Sequence, residues 1–239
     1  MSYKNQKVLL FIVEGKNDIK EVRAILRSSR FKEELEKYSI QFTSFDGDVS
    51  SRNNVTIKNI QNTVTQLVHK FRKNNPFRFE DYKEIIQIVD LDGTFIPDYC
   101  VIKGESRDYQ YTSEFIITSD VRGAQERNRQ KSSNLRKLIT VAKIDNIPFS
   151  IYFVSRNMEH VLFNETGSPS MATKRDMADS FSDKCDLNPD ILDDSLFNKE
   201  ICSTKPYVES WEDVQTECRS LERHTNFNLF FSKDAKNPK

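Results

Sequence analysis

Two acidic clusters each close an apolar run: VLLFIVEGKND presents Glu14, and EIIQIVDLDGTF presents Asp90 and Asp92. Carboxylates are hard oxygen donors of the kind Mg2+ (or Mn2+) takes, with water and substrate phosphate completing the octahedron. In an extended segment alternate side chains point the same way, so the DxD spacing lets Asp90 and Asp92 converge while Leu91 turns inward. Residues 8–13 and 84–89 are short, apolar and β-branched, as buried parallel strands are, and each hands over to a glycine within a few residues. In open α/β sheets ligands bind beyond the carboxyl ends of the strands. Three acids from distant segments are therefore expected at one edge of one sheet. Taken singly, Glu14 also fits a solvated turn residue, and DxDG a polar turn in which Asp side chains bond nearby amides.

The elements that must position them follow from periodicity. A helix is expected over 19–38, capped by Asn17 or Asp18, with Ile19, Val22, Ile25 and Leu26 on its apolar face. A second strand is expected at 40–45, a helix at 55–71 and a third strand at 84–91. This alternation predicts an α/β fold with a mainly parallel sheet flanked by helices. Residues 97–108 read as an irregular excursion, 109–118 as a strand, 122–142 as a polar helix. PFSIYFVS then reads as a strand running into SRNMEHVLF, where Glu159 is a further acid at a strand-to-helix junction. Helices are expected at 173–185 and 210–224, the latter with Ser210 and Asp213 as a variant capping box. The expected organisation is a catalytic unit over 1–165, with an insertion at about 97–145, and a mainly helical extension over 166–239.

Bulk properties narrow the class. The 239 residues can bury a real core, and 36 basic residues balance 36 acidic ones, so a basic surface must be local. Cys100, Cys185, Cys202 and Cys218 are far apart with no CxxC pair, which argues against zinc and predicts reduced thiols. The first apolar run is too short for a signal peptide or membrane span, so the expectation is a cytoplasmic protein without membrane association.

The order VEGKND, then IVDLDG with Asp90 76 residues after Glu14, resembles the TOPRIM domain of topoisomerases, bacterial primases, ribosomal-RNA maturases and overcoming-lysogenization-defect nucleases; the resemblance covers roughly residues 7–160. It implies a Rossmann-like TOPRIM fold with a helical C-terminal extension, and assigns metal binding and catalysis to Glu14, Asp90 and Asp92. SRNMEHVLF resembles the later segment of standalone members and would add Glu159 as a fourth catalytic, metal-binding acid. The resemblance further implies Mg2+-dependent cleavage of DNA or RNA in bacterial anti-phage defence, with an ATPase as partner protein in some cases. A homo-oligomer is also allowed. The rival is that DLDGTF reads as the first motif of haloacid-dehalogenase-like phosphatases, with Asp90 as nucleophile, Asp92 as acid/base and Thr94 in support. The 83 residues before the strand, and a later pair limited to Asp193 and Asp194, speak against it. A third reading keeps the fold as a non-catalytic binding or regulatory module.

Other residues are weighed beside these. Lys16 can reach a phosphate from the turn after Glu14. Asp46 and Asp48 follow a strand too, but DGD is common turn chemistry, and both are left out of the site. His160 reads either as a base near the metal or as a helix-surface residue, and His69 and His224 as structural. Seven basic residues against one acid between Val121 and Lys143, among them Arg122, Arg127, Arg129 and Lys131, predict a positive stripe for nucleic acid; a solvated helix face is the alternative. Tyr109, Tyr111 and Phe115 beside the stripe suit base stacking or a strand face. FNLFF reads as core or a partner-binding edge.

Overall fold

The computed structural model describes residues 6–45, 47–167 and 169–232. The chain is α/β, and its main sheet is mostly parallel and flanked by helices. The first strand, β1 (Lys7–Val13), leads through Gly15 into α1 (Lys16–Arg27) and a short α2 (Lys32–Leu35); β2 (Tyr38–Ser44), α3 (Ile60–Lys73) and β3 (Tyr82–Asp90) follow. A small second sheet contains β4 (Val101–Lys103), β5 (Gln110–Tyr111) and β6 (Ile116–Thr118). The chain then passes through α4 (Val121–Ile139), the hairpin of β7 (Lys143–Ile144) and β8 (Ile147–Val154), α5 (Met158–Phe163), α6 (Met171–Leu187) and α7 (Tyr207–Asp213). Strand order in the main sheet is β2-β1-β3-β8-β7, with only β7 antiparallel to its neighbour. The chain leaves β1 toward β2 and returns across it to β3. The carboxyl ends of β1 and β3 thus flank the point where the winding reverses, which is where open α/β sheets form their ligand crevice.

The pleat explains the continuous apolar runs. Val8, Leu10 and Ile12 of β1, with Phe149, Ile151 and Phe153 of β8, face Val64 and Val68 of α3 and Leu135 and Leu138 of α4. Their neighbours Leu9, Phe11 and Val13 face Val22 and Ile25 of α1, Met158 and Val161 of α5 and Phe181 of α6. A sheet buried on both faces has no polar side to alternate with. A third, smaller core joins Ile96, Cys100, Val101 and Ile116 of the insertion to Ala124 and Leu221.

Several boundaries differ from expectation. The helix expected over 19–38 stops at Arg27, where Ser28 turns out, and β2 already begins at Tyr38. Gly15 is the cap position, and Asp18 reaches back as acceptor for the Gly15 N–H at 2.8 Å. Helix α3 begins at Ile60 because residues 55–59 make turns held by the Asn59 side chain, which accepts from Thr56 N–H and donates to the Asn54 carbonyl. The stretch 97–118 divides into three short strands, and β7 was hidden in the segment before Pro148. Ser210 is no cap: it lies inside α7, whose cap position is Pro206, and its Oγ donates to the Tyr207 carbonyl. The helix expected over 210–224 ends at Asp213 and gives way to a 3₁₀ turn at Arg219–Leu221. Phe227–Phe231 is a 3₁₀ turn whose Phe227 is fully buried. Among the described residues no helix is long and apolar enough to cross a membrane.

The chain after residue 165 packs on both faces of the sheet. Trp211, the single tryptophan, lies on the Phe153 ring at 4.9 Å between centroids and donates its Nε1–H to the Ile151 carbonyl at 3.3 Å. Trp211→Ala is expected to cost about 3–5 kcal/mol of folding stability, measured by urea unfolding followed by circular dichroism. A loss within about 1 kcal/mol would mean that α7 docks only peripherally.

Candidate metal centre

Glu14, Asp48 and Asp92 come together at the carboxyl edge of the sheet, where one carboxylate oxygen of each lies within 4.8 Å of the others. Glu14 follows β1. Asp48 belongs to the loop after β2, and its Oδ1 accepts from the Ser50 N–H at 2.8 Å and the Ser50 hydroxyl at 2.5 Å. Asp92 follows β3 in a left-handed backbone conformation, φ 48°, with its N–H donated to the Arg156 carbonyl at 2.9 Å. Gly93 beside it also has positive φ, and a Cβ there would stand 2.7 Å from both Ile116 and Leu221. The DxDG turn therefore needs glycine for conformation and for space.

Lys131 organises these three acids. Its ammonium donates to Asp48 Oδ2 at 2.7 Å and Asp92 Oδ2 at 2.8 Å and lies 3.9 Å from Glu14 Oε1, with the side chain 0% exposed. Helix α4 carries it inward on a stripe of Ala124, Asn128, Lys131, Leu135 and Leu138, the 4-3-4-3 spacing of a buried helix face. Asn134, on the same helix, donates to the Ser50 and Val55 carbonyls and fastens the Asp48 loop to it. Burial alone would lower the Lys131 pKa, but Asp48, Asp92 and Glu14 hold it well above the ordinary value. Burial likewise opposes ionisation of Asp48, yet Lys131 and Ser50 bring its pKa below the usual carboxylate range. For Glu14 burial outweighs the lysine, and its pKa is raised.

Asp90, the first acid of DxD, stands apart from this group. Its N–H is donated to Glu14 Oε1 at 3.2 Å, and its carboxyl is pushed up by burial and by the charges of Glu14, Asp18, Asp92 and Glu159. It links to a second acidic lobe made by Asp18 and Glu21 of α1 and Glu159 of α5. Glu159 is 2% exposed, and the Lys174 ammonium lies 2.8 Å from its Oε1, an ion pair without hydrogen-bond alignment. Burial would lower the Lys174 pKa, but Glu159 and the other acids keep it raised. Glu21 is fully buried with no hydrogen-bond partner on either carboxylate oxygen among the described residues, and burial followed by the charges of Glu159 and Asp18 raises its pKa strongly.

The expected site residues are thus placed as follows. Glu14 and Asp92 are in one lobe, Glu159 is in the other, and Asp90 lies between them. Asp48, left out on turn chemistry, belongs in the first lobe; Asp46 lies outside the described residues. Asp18, Glu21 and Lys174 were missed. The signals were Asp18 four residues after Glu14, and Glu21 in register with Asp18 and Ile25 on the apolar face of α1.

The basic stripe is not one surface. Lys131 points inward to the acids, and Arg127 turns in as well, donating to the Asp92 carbonyl at 2.6 Å while stacking over Tyr109 at 4.6 Å. Arg122 pairs with Glu126 and Arg129 with Asp98 at the exposed surface, and Lys16 is exposed at the start of α1. His160 is not a surface residue: it is buried, with Nδ1 3.5 Å from Ser155 Oγ, and burial and Arg156 lower its pKa to about 4. His69 pairs with Asp145. No family model, curated protein or solved structure matches the chain.

Two stability effects follow in metal-free protein. Lys131→Met should cost about 3 kcal/mol at neutral pH, because it strands buried acids. Asp48, with its pKa depressed in the fold, contributes stability above its unfolded value of 3.8 that is lost as pH falls through the folded value. The gap between wild type and Lys131→Met in denaturant titrations should therefore be full above about pH 5 and shrink below pH 4. Glu21→Gln should do the reverse. Because the folded pKa of Glu21 is raised, its contribution is full below the unfolded 4.5 and lost as pH rises toward the folded value. The variant should thus be more stable than wild type at pH 7, by on the order of 1 kcal/mol, and equal to it near pH 4.

Proposed function

We propose that the protein is a Mg2+- or Mn2+-dependent nuclease whose centre is of the TOPRIM kind, with Glu14, Asp48, Asp90 and Asp92 as its principal acids and Glu159 as a further one. The observation that carries this reading is the convergence of Glu14, Asp48 and Asp92 at the point where the sheet's winding reverses. The donor set fits a divalent cation. It is all carboxylate, and among the described residues seven acids (Glu14, Asp18, Glu21, Asp48, Asp90, Asp92 and Glu159) meet only two lysines that pair with them; the orphaned oxygens of Glu21 mark the imbalance. When bound, such an ion supplies charge neutralisation at a phosphodiester and a more acidic water.

The chain's own residues do the rest of the work in this reading. Lys131 holds Asp48 and Asp92 in one orientation and sets where their free lone pairs point. Asp90, between the two lobes, is a candidate ligand beside Glu14 and a candidate proton donor to a leaving oxygen; burial and the neighbouring acids raise its pKa. Lys16, exposed one turn from Glu14, is placed to meet a phosphate. Position speaks against the phosphatase reading, since two strand-and-helix units precede β3. The resemblance to standalone TOPRIM proteins supports a role in phage defence, with DNA or RNA as substrate and an ATPase as partner.

A non-catalytic binding module is the second reading, favoured by one observation: Lys131 already supplies a cation among the acids. The two are separated by incubating purified protein with DNA, ribosomal RNA and transfer RNA in Mg2+ or Mn2+, with and without a chelator. Metal-dependent cleavage is expected, lowered on the order of a hundredfold or more in Glu14→Gln and Asp92→Asn variants that keep the wild-type circular dichroism. A metal-induced rise in melting temperature without cleavage of any substrate would favour the binding module. Absence of both responses would overturn the metal centre.

A further inference from the structure

Two cysteines 118 residues apart in sequence meet in space: Cys100 Sγ and Cys218 Sγ are 3.0 Å apart. Cys100 ends the 3₁₀ turn Asp98–Cys100 that follows DLDGTF and is buried in the small core with Val101, Ile116 and Leu221. Cys218 is half-buried just before the turn Arg219–Leu221, and its Sγ also lies 3.2 Å from the Glu114 carbonyl. A disulfide bond is about 2.04 Å long, so closure needs an approach of only about 1 Å. The other two cysteines, Cys185 and Cys202, have no sulfur partner among the described residues.

We propose that Cys100 and Cys218 are an oxidisable thiol pair that closes to a disulfide, stapling the insertion to the C-terminal segment beside the carboxylate centre. The oxidant class is a small dialkyl disulfide. Cys218, the more exposed of the two, loses its proton and attacks one sulfur of the oxidant, forming a mixed disulfide and expelling one small thiolate. Cys100 then loses its proton and attacks Cys218 Sγ, which expels the second small thiolate. Two protein thiols are oxidised by two electrons, one small disulfide is reduced to two thiols, and the two protons released by the protein balance the two thiolates. Burial and the adjacent Cys100 push the Cys218 thiol up to about 12, so exchange at neutral pH is slow and should quicken by about tenfold per pH unit below that value.

The staple lies close to the site. Leu221, three residues after Cys218, packs where a Cβ on Gly93 would fall, and its carbonyl accepts from Arg156 Nε at 3.0 Å. The Arg156 carbonyl in turn accepts the Asp92 N–H. Closing the bond would restrain this path to the DxDG turn as well as the unfolded chain.

The test is to incubate the reduced full chain with oxidised glutathione at pH 8, block remaining thiols by alkylation, and map peptides without reduction. The expected result is a monomer with Cys100 joined to Cys218, with Cys185 and Cys202 still alkylated, and with a melting temperature raised on the order of 10 °C that reductant reverses. Cys218→Ser and Cys100→Ala should each abolish that rise, and Cys202→Ser should retain it. The proposal is overturned if both thiols remain alkylatable after prolonged oxidation. It is equally overturned if Cys218 stops at the glutathione adduct, or if it links only between chains.

Discussion

The arrangement depends on one buried ammonium. Like charges about 4 Å apart repel by about 4 kcal/mol at the effective dielectric of a protein surface. Three carboxylates at such spacing would spend much of the 5–15 kcal/mol that typically holds a domain together. Lys131 removes that cost for Asp48 and Asp92 by direct contact and reduces it for Glu14 at longer range. Helix α4 must therefore lie where it does. Its polar Asn128 and Asn134 are buried because the same face that carries Leu135 and Leu138 into the core also carries the lysine to the acids.

The two acidic lobes are balanced differently. Around Lys131 the charges are paired and hydrogen-bonded, and Asp48 ionises more readily than a free aspartate. Around Lys174, which stays partly exposed, Glu159 gains an ion pair while Glu21 has no hydrogen-bond partner among the described residues. Buried groups left unsatisfied are costly and tend to collect where a protein needs reactivity rather than stability. The second lobe is thus the place where the fold gives stability away.

How much was legible in the sequence depended on which force placed each residue. The strands of Glu14 and Asp90 were plain, since a parallel strand buried on both faces must be a continuous apolar run. Asp48 was not, because the same DGD composition serves a free turn and a loop drawn into a carboxylate cluster, and only Asn134 and Lys131 on a distant helix decide between them. Lys131 was read as part of a surface stripe by composition, although its spacing from Leu135 and Leu138 put it on the buried face. Helix α1 was drawn too long because 28–37 keeps helical residues while its apolar positions turn to pack Phe31 and Leu35. The cysteines, judged by spacing along the chain, gave no hint that Cys100 and Cys218 are neighbours.

The carboxylate centre draws its parts from residue 14 to residue 174, and hardly any of its contacts are local. Closing such loops costs entropy before any contact rewards it, so assemblies of this kind form late in folding. Until α4 docks, the acids at the ends of β1 and β3 and after β2 repel one another without a counter-charge. Arrival of Lys131 then closes the sheet edge and supplies that counter-charge in the same event. The pairing makes assembly of this edge cooperative: a chain with the strands in place and α4 undocked carries the full repulsion, and one with α4 docked has it relieved at Asp48 and Asp92.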